Sequence, residues 1–81
     1  DVLLALSTSG DSPNVLRAVD EAKRLGLRTL AFSGKEGGAL AAAAELAVVV
    51  RHDDFARIQE VHMALGHILC GLVEEMIAPR A

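Results

Sequence analysis

Three short apolar runs, each separated from the next by a helical pattern, constrain this chain more than any other feature. They are Val2-Leu3-Leu4-Ala5-Leu6, Leu27-Arg28-Thr29-Leu30-Ala31-Phe32 and Leu46-Ala47-Val48-Val49-Val50. Strands joined through helices run parallel, and strands apolar on both faces belong inside a sheet that is covered on both sides. The order reads βαβαβ and then a last long helix, which makes a parallel α/β layer structure.

The connecting segments support that order. Ser12 reads as a helix N-cap with Pro13 at the first helical position. The helix that follows spaces Val15, Leu16, Val19, Ala22 and Leu25 along one side and stops at Gly26. Ser33 to Gly38 reads as a turn and Ala39 to Glu45 as a short Ala-rich helix. From about Asp54 to Ile77 a long helix carries Phe55, Ile58, Val61, Leu65, Ile68, Leu69, Leu72, Val73 and Met76, with Pro79 just past its end.

Composition narrows the partners. A formal charge of −3 with scattered basic residues leaves no electrostatic footprint for nucleic acid or an anionic membrane. Charged residues interrupt every apolar stretch before it reaches the ~20 residues of a membrane span. The single Cys70 allows no disulfide framework and no cysteine metal site, which fits a reducing, cytoplasmic setting. The 81 residues are enough for one small domain at most, and they open directly on an apolar strand without an initiating Met. We therefore expect residues 1–81 to be the C-terminal part of a single domain whose N-terminal half precedes them.

Two places carry chemistry. Ser7-Thr8-Ser9-Gly10-Asp11-Ser12 lies where the first strand feeds the first helix, the position at which open α/β sheets bind ligands. A helix N-terminus offers unpaired N–H groups and a positive dipole end, four hydroxyls add donors, and Gly10 lets backbone approach closely. A phosphate ester held without Lys or Arg is one reading; a plain βα turn is the other. Asp11 counts against the phosphate unless it points to solvent or towards a cation. On the long helix, Gln59, Glu60, His62 and His67 interrupt an apolar pattern. Imidazole suits proton transfer and metal ligation, and a Gln carbonyl can coordinate zinc or orient a sugar hydroxyl.

The loop, the Gly34-x-x-Gly37-Gly38 turn, the stretch Arg57-Ile58-Gln59-Glu60-Val61-His62 and His67 together resemble the sugar isomerase (SIS) domain family, along the whole chain. The resemblance implies the C-terminal βαβαβα half of a three-layer, flavodoxin/Rossmann-like SIS domain. It also implies that Ser7, Thr8, Ser9 and Ser12 bind the substrate phosphate. In the branch that isomerises sedoheptulose 7-phosphate to D-glycero-D-manno-heptose 7-phosphate, positions matching Gln59 and His67 ligate zinc, and Gln59 also touches the sugar. The other two ligands, a His and a Glu, come from the earlier half. The branch further implies an enediolate proton transfer with His67 as zinc ligand or acid/base. It implies a homotetramer that builds its sites at subunit interfaces and serves bacterial surface heptose synthesis. The family commonly has Asn where Asp11 stands, and some relatives have an acid where Ala56 stands.

Helix geometry limits that carry-over. Eight residues along a straight helix separate two Cα atoms by about 12 Å of rise and roughly 80° of rotation, so Gln59 and His67 do not ligate one ion side by side. They reach it by leaning together, or the site is shared between subunits. His62 reads first as a hydrogen-bonded core histidine and otherwise as a supporting group near Gln59. Arg57 and Glu60 read as a surface or interface pair, His52 as a loop residue near the next N-cap, and Lys35 to Gly38 as turn chemistry. The rival to the isomerase is a non-catalytic SIS protein, either a phosphosugar-binding regulator or a replication-initiator-associating scaffold. That scaffold shares the loop and the Arg-Ile-Gln-Glu-x-His stretch, and it lacks the histidine matching His67.

Overall fold

The computed structural model describes residues 1–77. Strands β1 (Val2–Leu6), β2 (Arg28–Gly34) and β3 (Leu46–Val50) form one parallel sheet in the order β1-β2-β3. Helices α1 (Pro13–Arg24), α2 (Gly38–Ala43) and α3 (Phe55–Ile77) follow the strands in turn. The βαβαβα order is as expected, and Pro79 lies outside the described residues.

Strand alternation sorts the layers. Ala5 pairs with Ala31, and both join Val19 of α1 and Leu40 of α2 in the buried core. Side chains one residue on point to the opposite face. There Phe32 meets the His62 ring of α3 at 5.9 Å between centroids. Helices α1 and α2 thus cover one face, as right-handed crossovers moving in one direction across a sheet require, and α3 lies on the other.

Helix α1 ends in a Schellman motif: Gly26, at φ +79°, lets its N–H reach Lys23 O at 3.1 Å while the Leu27 N–H reaches Ala22 O at 2.9 Å. Leu25, expected in the core, is its half-in flanking residue and stays 60% exposed. Two boundaries also move. Strand β2 begins at Arg28 and continues through Ser33 to Gly34, because those two residues pair with Val49 and Val50 of β3. Helix α2 stops at Ala43, not Glu45, since the Glu45 N–H is taken by the Thr29 hydroxyl at 3.0 Å and the Glu45 carboxylate by Arg28.

The long helix departs furthest from its apolar pattern. Only Ile58 and His62 are buried on it, whereas Ile68, Leu72, Val73 and Met76 are exposed. A 23-residue helix is about 34 Å long, roughly twice the length of a five-residue strand, so its second half overhangs the sheet. No described helix is long and apolar enough to cross a membrane.

Candidate functional site

The loop after β1 is tied to its surroundings by its own polar groups. The Ser7 N–H continues the sheet ladder to Phe32 O at 3.0 Å, so the buried Ser7 side chain has a fixed origin. Its Oγ accepts the Gly10 N–H at 3.0 Å and lies 2.9 Å from the Ser12 Oγ. The Ser9 Oγ accepts the Asp11 N–H at 3.2 Å. Gly10 needs to be glycine twice over: its φ is +78°, and a Cβ there would stand 2.2 Å from Gly37 O. A Cβ on Gly38 would in turn stand 2.6 Å from Gly10 O. Gly37 and Gly38, read from the sequence as turn residues, therefore let the α2 turn close onto the serine loop. The Leu40 N–H to Gly10 O bond, 2.8 Å, completes that contact.

Asp11 is placed by the same contact. Its Oδ1 accepts the Ala39 N–H at 2.9 Å, so the exposed carboxylate sits at the N-terminus of α2. Ser12 occupies the N-cap position of α1 but makes no side-chain cap, since its hydroxyl is engaged with Ser7. The first-turn N–H groups of Asn14 and Val15 have no intrahelical acceptor, and no basic side chain stands among them. These donors and the helix dipole favour an anion.

Across from the loop, α3 presents Gln59, His62, Met63 and Gly66 at i, i+3, i+4 and i+7. With Leu6, Ser7, Thr8 and Ser12 they line an open cleft of about 480 Å³. His62, read first as a core histidine, is one: it is 4% exposed, and its Nε2 donates to Ser33 O at 2.8 Å. It also forms part of the cleft wall, which single-helix periodicity had no means of showing. Ser9 and His67 do not line this cleft, and His67 is exposed. Among the described residues no three His, Cys, Asp or Glu side chains gather as a metal site. Of the two positions that the resemblance marks as metal ligands, Gln59 lines the cleft and His67 lies outside it.

The remaining polar residues serve the framework. Arg57 pairs with Glu60 at 3.1 Å and more distantly with Asp54 on the exposed side of α3. Asp54 Oδ1 caps that helix through the Ala56 N–H, and His52 Nδ1 accepts the Asp54 N–H, both at 2.9 Å. Lys35, at φ +53°, holds its ammonium 4.6 Å from the Phe55 ring centroid.

No family model matches the chain. It is 55% identical over 78 residues to the phosphoheptose isomerase of Chlorobaculum parvum, covering 95% of this chain and 37% of the relative. To that of Aquifex aeolicus it is 46% identical over 81 residues, covering 100% and 42%. A solved phosphoheptose isomerase from Francisella tularensis superposes with a TM-score of 0.86 at 40% identity, over 93% of this chain and 42% of that one. The Neisseria gonorrhoeae structure gives 0.86 at 39%, over 90% and 42%. The chain therefore spans about two fifths of the length of these relatives. Sequence and fold agree that it is homologous, over nearly its whole length, to one part of the phosphoheptose isomerases.

Proposed function

We propose that these residues form one side of the active site of an aldose–ketose isomerase that converts sedoheptulose 7-phosphate to D-glycero-D-manno-heptose 7-phosphate. The observation that supports this reading is a cleft whose lining brings Ser7, Thr8 and Ser12 together with Gln59. The uncapped N-terminus of α1 and the hydroxyls of Ser7, Thr8, Ser9 and Ser12 hold the phosphate end of the sugar. Anchoring there orients the reacting carbons, and binding energy from the unreactive end lowers the cost of that orientation. The Gln59 amide orients a sugar hydroxyl. His67 serves as zinc ligand or as the group that moves the proton between C1 and C2.

The donor set agrees with zinc in kind, a Gln oxygen and an imidazole nitrogen, and its other ligands must come from residues outside this chain or from another subunit. Bound zinc supplies a Lewis acid for the negative charge that develops on the substrate oxygens. The protein would act in the cytoplasm as a homotetramer, at an early step towards bacterial surface heptose.

The test uses the complete polypeptide that carries these residues. We expect it to contain zinc and to isomerise sedoheptulose 7-phosphate. Gln59→Ala and His67→Asn should each lower turnover at least ~100-fold. One observation favours the rival, a phosphosugar-binding protein without catalysis: His67 stands outside the cleft. Phosphosugar binding by the wild type without turnover would establish that rival.

A further inference from the structure

We propose that His62 is a positioning residue, whose bond to the backbone of β2 sets the roll of α3 and so holds Gln59 against the phosphate loop. This rests on the reading above, in which Gln59 contacts metal and sugar. Helix α3 seats on the sheet through two buried side chains one turn apart. Ile58 packs where a Cβ on Gly34 would stand, 2.7 Å from its methyl groups. His62 donates to Ser33 O at 2.8 Å.

The two anchors do different things. The Ile58 contact is non-directional and limits how closely the helix approaches. The hydrogen bond is directional and fixes rotation and slide. Because a carbonyl oxygen only accepts, Nε2 carries the proton in the neutral ring, and the tilted contact with Phe32 holds the ring plane. Gln59 and Met63 each follow one of the anchors by one residue, about 100° around the helix, and both line the cleft. A roll of about 20° sweeps a side-chain end, some 5–6 Å from the helix axis, through roughly 2 Å. Displacements near 1 Å in a reacting constellation cost on the order of a hundredfold in rate. The Ser7–Ser12 loop belongs to β1 and α1 and does not depend on this bond.

The complete polypeptide is compared as wild type, His62→Leu and His62→Gln, the last keeping an N–H donor. We expect His62→Leu to lower kcat for sedoheptulose 7-phosphate by ~10–100-fold, with KM within about threefold because the phosphate anchor is intact, and His62→Gln to recover most of the loss. A kcat for His62→Leu within threefold of wild type overturns the inference. So does a loss that His62→Gln fails to repair. Wild type without turnover would instead refute the isomerase reading, and the inference is then judged by the NMR signals of the Gln59 side-chain amide. These should shift in His62→Leu and return in His62→Gln; unchanged signals overturn it.

Discussion

The hydroxyl of Ser7 lies 2.9 Å from that of Ser12 and closes the loop between β1 and α1 across five residues. Ser7 is therefore both ligand candidate and frame. Ser7→Ala leaves the buried Gly10 N–H without its acceptor, a cost of about 1–3 kcal/mol. Urea denaturation should show that loss, and steady-state kinetics a raised KM for the proposed sugar phosphate. Ser9→Ala removes a single exposed bond, and should raise KM with a smaller loss of stability.

Gly10 and Gly26 separate strain from collision. Both have positive φ, but a Cβ on Gly26 meets nothing within 4 Å while one on Gly10 meets backbone at 2.2 Å. Gly26→Ala should cost about 1–2 kcal/mol, the left-handed penalty alone. Gly10→Ala should cost more than about 3 kcal/mol or abolish soluble expression. Equal losses in a denaturant titration of the two variants would remove the loop–turn contact from the account.

Asp11→Asn keeps an oxygen for the Ala39 N–H and removes one negative charge beside the proposed phosphate site. Stability should stay within about 0.5 kcal/mol, and KM for the sugar phosphate should fall severalfold at low ionic strength, less so in high salt. Asp11→Ala loses the bond as well and should destabilise by about 1 kcal/mol.

The Arg24 guanidinium holds the Glu21 carboxyl below its ordinary value, against a smaller opposing effect of desolvation. A lowered folded value means that the pair's stabilisation is present above the unfolded carboxylate pKa and is lost as pH falls through the lowered one. Both side chains are exposed, so the effect is small and screened. The stability gap between wild type and Glu21→Gln should be largest at about pH 7 in low salt and should close on acidification or with about 1 M salt.

The parallel order was legible because strand runs and helix periodicities differ in kind, and the serine loop because Ser, Gly and Pro cluster where a strand meets a helix. Other features depend on contacts that periodicity does not encode. Leu25 matched the α1 stripe, yet the turn at Gly26 carries it off the core. The apolar residues of the second half of α3 form a buried-looking pattern and are exposed, because that half extends past the strands. Asp11 looked out of place beside a phosphate until its acceptor role at Ala39 appeared, 28 residues along the chain. Likewise His62 could be read as a core residue, but its place in the cleft wall depends on how α3 lies across β2. The roles of Gln59 and His67 came from resemblance, and Gln59 alone of the two reaches the cleft.

The backbone of Gly10 fits against Gly37 and Gly38 so closely that neither side leaves room for a methyl group. The serine loop is consequently not portable. Grafting residues 7–12 onto another strand-to-helix junction would transfer the hydroxyls without the surface that shapes them. A designer who wanted this loop in its present shape would have to transplant the Gly34–Gly38 turn with it, as two pieces of a single mould.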